Sequence, residues 1–131
     1  MTDFPFSSKH SIIICHAEIL GPKRELFVKM AMDTGATYTT IPIETAIAIG
    51  CDPLRSKRKI EMTTGSGVEY VPIITLPEFK AFGIKVKNFD VICHNLPSQS
   101  PVEGLLGLNF LNKSKLIIDF SRHIVKSSTS E

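Results

Sequence analysis

Apolar residues in this chain come in short runs that alternate with polar ones and end at Gly, Pro or Asn, and this constrains the fold more than any other feature. A packed helix needs an apolar stripe recurring every ~3.6 residues over about ten positions or more. Only 43–49 (IETAIAI), starting after Pro42 and stopping at Gly50, offers even two turns of one. The rest reads as strands. Residues 11–20 and 26–32 flank the turn Gly21-Pro22-Lys23-Arg24, and Leu26, Val28, Met30 and Met32 fall on one face, which predicts a hairpin with core-facing methionines. Residues 60–62 and 68–76 flank Thr63-Thr64-Gly65-Ser66-Gly67, a second hairpin with a Gly-containing tip.

Residues 79–82 and 84–93 around Gly83 predict a further antiparallel pair, with Pro72 and Pro77 putting parts of the sheet at an edge or bend. A Pro, Ser and Asn loop over 95–103 leads into Gly104-Leu105-Leu106-Gly107-Leu108-Asn109-Phe110-Leu111, a glycine-bounded pair of leucines followed by a short helical turn. Residues 116–120 and 124–125 form a last hairpin around Ser121-Arg122-His123. Many short strands, one or two short helices and no βαβ rhythm predict an all-β fold, a closed or half-closed barrel of short antiparallel strands. The 131 residues suit a single domain, with 1–10 and 127–131 expected as loose ends.

Several function classes fall away. A formal charge of +2 is too small to be the footprint of a nucleic-acid binder. The segment Arg55-Ser56-Lys57-Arg58-Lys59 could hold an anion, but it lacks aromatic interleaving and reads more simply as a solvated loop. No apolar run exceeds four residues, so no membrane span is expected. The first ten residues show no basic start followed by a hydrophobic stretch, and a cytoplasmic location is the expectation. Cys15, Cys51 and Cys93 cannot all pair within one chain and none lies in a Cys-x-x-Cys spacing, so neither a metal nor another cofactor is expected.

Chemistry concentrates at Asp33-Thr34-Gly35-Ala36, where an apolar strand delivers an acidic residue into a tight Gly turn. With FVKMAMDTGA followed much later by EGLLGLNFL, and a Gly-tipped hairpin between, the sequence resembles the retropepsin-like aspartic proteases, cellular or bacterial members more than the shortest viral ones. The resemblance runs roughly from residue 12 to 125. It implies that Asp33 is the catalytic aspartate, that the Thr34 hydroxyl braces the matching loop of a partner, and that Gly35 and Ala36 complete the catalytic loop. Leu105, Leu106 and Gly107 would pack behind that loop, and Thr64, Gly65, Ser66 and Gly67 would form a flap over an extended polypeptide.

Peptide hydrolysis without a metal or nucleophilic side chain needs two carboxyl groups, one to take a proton from water and one to hold the carbonyl oxygen. Asp3, Asp52, Asp90 and Asp119 lack the following Thr/Ser-Gly, so the resemblance implies a homodimer in which each copy contributes Asp33. Two alternatives stand beside an endopeptidase. One is a catalytically inactive retropepsin-like module for dimerisation or peptide binding; the other is an anion binder working through Arg55, Lys57, Arg58 and Lys59.

Overall fold

The computed structural model describes residues 2–128. Strands β1 (Thr2–Pro5), β2 (Ile14–Leu20), β3 (Glu25–Met32) and β4 (Thr40–Ile41) precede helix α1 (Ile43–Ala48) and a 3-10 turn at Pro53–Arg55. Then come β5 (Lys59–Thr64), β6 (Gly67–Ala81), β7 (Ile84–Cys93), β8 (Gly104–Leu106), helix α2 (Leu108–Leu111), β9 (Ile117–Asp119) and β10 (Ile124–Ser127). Among the described residues the order β2-β3-β8-β4-β7-β6 closes on itself through pairing of β6 with β2, from Glu18↔Lys80 to Leu20↔Glu78. The fold is therefore all-β with a closed six-stranded barrel, as the sequence predicts. Two of its seams, β3 with β8 and β4 with β7, are parallel, because β8 and β4 enter the barrel after long connections and not through hairpins.

Period-two burial explains which residues turn inward. Along β3, Val28 and Met30 are buried while Phe27 and Lys29 are not. Inside the barrel Phe79 stacks on Phe89 at 4.6 Å between ring centroids and meets Phe110 of α2 edge-on at 5.5 Å. Ile19, Ile41, Ile49, Leu76, Val91 and Leu106 complete this core. Helix α1 stops where Gly50 takes a φ of +99°, and a side chain there would collide with Lys23.

Strand β6 runs unbroken for 15 residues through both Pro72 and Pro77. Pro72 sits opposite Lys59, and the neighbouring Ile73 N–H donates to the Arg58 carbonyl at 2.9 Å, so alternation turns the Pro72 nitrogen away from β5 and no bond of that ribbon is lost. The ends differ from the loose tails expected. Thr2–Pro5 pairs with Ile124–Ser127, which pairs with Ile117–Asp119, in a three-stranded sheet. Phe4 pays for this ordering by packing edge-on against Phe82 at 5.6 Å, and Phe6 meets His123 at the same spacing. Of the other expected tail, residues 129–131 lie outside the described residues.

Candidate active site

Strand β3 ends at Met32 and the chain turns immediately. The Asp33 N–H donates to the Leu106 carbonyl at 2.9 Å, extending the β3–β8 ladder by one bond and fixing where the turn begins. The Asp33 side chain then accepts the Gly35 N–H on Oδ1 at 2.8 Å, and its carbonyl accepts the Ala36 N–H at 3.1 Å. An aspartate that caps its own turn in this way is held in one orientation. Asp33 is half-buried, whereas Thr34 and Gly35 are exposed.

Helix α2 braces the turn from behind. The N–H groups of a first helical turn have no partner within the helix, and here Leu108 gives its own to the Ala36 carbonyl at 2.8 Å and Asn109 to Thr37 at 3.1 Å. A Cβ at Gly107 would lie 2.6 Å from the Tyr38 carbonyl carbon and 2.8 Å from the Ala36 oxygen, so only glycine lets the two loops come this close. Behind them Asn109 takes the Thr39 N–H and hydroxyl on Oδ1 at 2.8 and 2.9 Å, and donates through Nδ2 to the Asp90 carbonyl at 2.7 Å. The Thr39 hydroxyl oxygen in turn accepts the Gly107 N–H at 3.1 Å.

Of the residues singled out from the sequence, Asp33, Thr34, Gly35 and Ala36 thus form one turn with Leu105, Leu106 and Gly107 against it. Thr64 and Gly67 pair across the hairpin end, leaving Gly65 and Ser66 as a two-residue turn, tighter than the five-residue tip expected. The side of the turn carrying Thr34 opens on a small apolar hollow lined also by Met32, Leu111, Ser114, Leu116 and Ile118. Thr39 and Asn109 had no motif to mark them. The only sequence cue was a lone amide in an apolar stretch, Leu108-Asn109-Phe110-Leu111.

Other reactive groups are committed or suppressed. Asp90 makes a two-pronged ion pair with Arg58, at 3.1 and 2.8 Å, which is the main reason its carboxyl is held below the usual range. Asp119 is held low mainly by its hydrogen bond from the Ser121 hydroxyl. Asp52 accepts the Leu54 N–H and lies 3.3 Å from Arg55. Burial pushes the Cys15 and Cys93 thiols up to about 12, which leaves them unreactive. Among the described residues no three His, Cys, Asp or Glu side chains converge as metal ligands, and no helix is long and apolar enough to cross a membrane.

Residues 24–113 match the family model described as "gag-polyprotein putative aspartyl protease". No curated protein sequence matches the chain. A retropepsin-like aspartic protease from Rickettsia conorii shares the fold with a TM-score of 0.71 at 22% identity, over 95% of this chain and 86% of that one. The retroviral protease-like domain of Ddi1 from Leishmania major does so with a TM-score of 0.58 at 17% identity, over 91% of this chain and 90% of that one.

Proposed function

The chain belongs to the gag-type aspartyl protease family, and from that premise we propose that it is a homodimeric aspartic endopeptidase whose catalytic pair is one Asp33 from each copy. The observation that carries this reading is the Asp33 turn itself. Its carboxylate is fixed on one oxygen by Gly35, half-exposed, and braced from behind by Gly107 and Asn109. Of the other aspartates, Asp52, Asp90 and Asp119 are each engaged elsewhere and Asp3 lies exposed in β1, paired across the terminal sheet with Lys126, so the second carboxyl of the pair comes from a second copy. Thr34 beside the apolar hollow lies on the side where that copy would seat, its hydroxyl bracing the matching turn.

Two carboxyl groups about 3 Å apart share one proton, an effect for which aspartic proteases are the standard example, and the pair owns the resulting pKa values. The ionised member takes a proton from water as the water oxygen attacks the peptide carbonyl carbon, while the protonated member donates to the carbonyl oxygen. Collapse of the tetrahedral species breaks the C–N bond, a proton passes to the leaving nitrogen, and acid and amine depart. The β5–β6 hairpin, with Thr64, Gly65, Ser66 and Gly67 at its end, closes over an extended polypeptide substrate. Gly35 and Ala36 keep the backbone of the turn low enough for that strand to approach, and no cofactor takes part. The chain works as one domain, in the cytoplasm, a setting in keeping with its three free cysteines.

The test is cleavage of a mixed peptide library between pH 3 and 8, at several protein concentrations, by wild type and by Asp33→Asn. Wild type is expected to cut more than proportionally as concentration rises, and Asp33→Asn not at all. A folded, dimeric wild type that cuts nothing would instead support the non-catalytic peptide-binding or dimerisation module.

A further inference from the structure

The hairpin proposed as the flap is a two-stranded ribbon up to Pro72, where β7 joins the sheet at Ile73. Among the described residues strand β5 pairs only with the first part of β6, Lys59↔Pro72 to Thr64↔Gly67, and is the terminal strand of its sheet. A two-stranded ribbon is marginally stable alone, so its direction is decided at its root. The root is built from two layers. One is apolar: Val71, Ile73 and Ile92 form a small buried cluster of their own, packed against Ile60 and Met62 of the ribbon and Tyr38 of the chain leaving the Asp33 turn.

The other layer is polar and centres on Arg58, the residue before β5. Its carbonyl accepts the Ile73 N–H at 2.9 Å, and the Ser56 hydroxyl makes hydrogen bonds to the Arg58 and Ile73 carbonyls. Its guanidinium spans β6 to reach β7, donating from Nη1 to Thr75 Oγ1 at 3.2 Å and Asp90 Oδ1 at 3.1 Å, and from Nη2 to Asp90 Oδ2 at 2.8 Å. Thr75 and Asp90 are cross-strand partners, and the Thr75 hydroxyl donates to Asp90 at 2.6 Å. The Asp90 carbonyl receives Asn109, which holds Thr39 behind the Asp33 turn. A continuous set of hydrogen bonds therefore runs from the ribbon root to the catalytic loop.

We infer that Arg58 is a positioning residue, whose fork on Asp90 and Thr75 sets the direction of the β5–β6 hairpin over the Asp33 turn and so tunes how tightly an extended substrate is held. The inference rests on the flap assignment above. An exposed ion pair adds little to global stability, but a planar two-pronged contact between anchored partners restricts orientation, which lysine cannot reproduce. The effect of losing it is local: the ribbon loosens while the barrel does not.

The experiment compares wild type with Arg58→Ala, Arg58→Lys, Asp90→Asn and the exchanged pair Arg58→Asp with Asp90→Arg. Hydrogen exchange is followed along the chain, with KM and kcat measured on a cleaved peptide. Arg58→Ala is expected to speed exchange over residues 60–71 about fivefold or more while residues 89–92 and 106–111 keep wild-type rates, and to raise KM several-fold with kcat within about twofold. Arg58→Lys and Asp90→Asn should follow Arg58→Ala, and the exchanged pair should recover most of the loss. Wild-type exchange in the ribbon of Arg58→Ala, exchange raised equally throughout the chain, or full rescue by lysine would overturn the inference. Exchange needs no substrate, so a wild type that fails to cut would sink the protease reading while the role of Arg58 is still decided.

Discussion

Thr39 gives both its backbone N–H and its hydroxyl to one atom, Oδ1 of Asn109, at 2.8 and 2.9 Å. The amide of Asn109 also donates to Asp90, so one side chain ties together the loop that follows Asp33, the helix behind it and strand β7. Asn109→Ala would leave these part-buried groups unpaired, a cost of about 1–3 kcal/mol. Asn109→Asp keeps an acceptor for Thr39 but has no donor for the Asp90 carbonyl, so it should recover only part of the loss. Urea unfolding of the two variants checks this; an Asn109→Ala variant as stable as wild type would contradict the bracing role.

Gly107→Ala would push a methyl group into the Tyr38 carbonyl and the Ala36 oxygen, and the loop that must yield is the one carrying Asp33. A misplacement of about 1 Å costs on the order of a hundredfold in rate. The expected variant folds, as judged by its circular dichroism, but cuts peptides at least tenfold more slowly by that scale. Wild-type kcat in a folded Gly107→Ala would show that the close approach is irrelevant to chemistry.

Acid should remove the contribution of the Arg58–Asp90 pair. Asp90 has a lowered carboxyl pKa, chiefly through its hydrogen bond from Arg58, with help from Thr75 and the charge of Lys113 against an opposing effect of burial. A lowered folded value means the contribution is complete above the unfolded value of about 3.9 and disappears as pH falls through the folded one. The difference in ribbon opening between wild type and Asp90→Asn, measured by hydrogen exchange over residues 60–71 after correction for the intrinsic exchange rate, should therefore be open at neutral pH and close in strong acid. A gap that persists or widens in acid would reverse the sign.

Much of this arrangement was legible in the sequence because it depends on neighbours in the chain. The β2–β3 hairpin, the Asp33 turn, the Gly107 break and helix α1 ending before Gly50 all follow from local alternation and turn residues. What is not legible there depends on distant partners. Thr2–Pro5 reads as a polar, Pro-containing tail until Val125 and Ile124 stand beside Phe4 and Pro5. Pro72 and Pro77 read as marks of an edge or bend, whereas β6 runs through both as one 15-residue strand. Arg58 looked like one cation of a solvated loop, and its partner Asp90 lies 32 residues away. Asn109 and Thr39 are separated by 70 residues, and no periodicity connects them.

Native-state thiol labelling should find Cys15 and Cys93 silent. Burial raises both to about 12, with Cys51 adding to the effect at Cys93, so almost no thiolate is present near neutral pH. Disulfide reagents at pH 8 should modify these two only as fast as the protein unfolds. Rapid labelling of either in folded protein would show that the barrel opens far more readily than its packing suggests.

The central claim, that two chains each supply one catalytic carboxyl, is tested most directly by mixing subunits. Wild type and Asp33→Asn are combined in varying proportions at fixed total concentration, allowed to exchange, and assayed on one peptide. If both Asp33 carboxyls are needed, activity follows the square of the wild-type fraction and an equal mixture keeps about a quarter of the wild-type rate. Activity linear in the wild-type fraction, about half in that mixture, would mean that one chain suffices and would contradict the shared dyad.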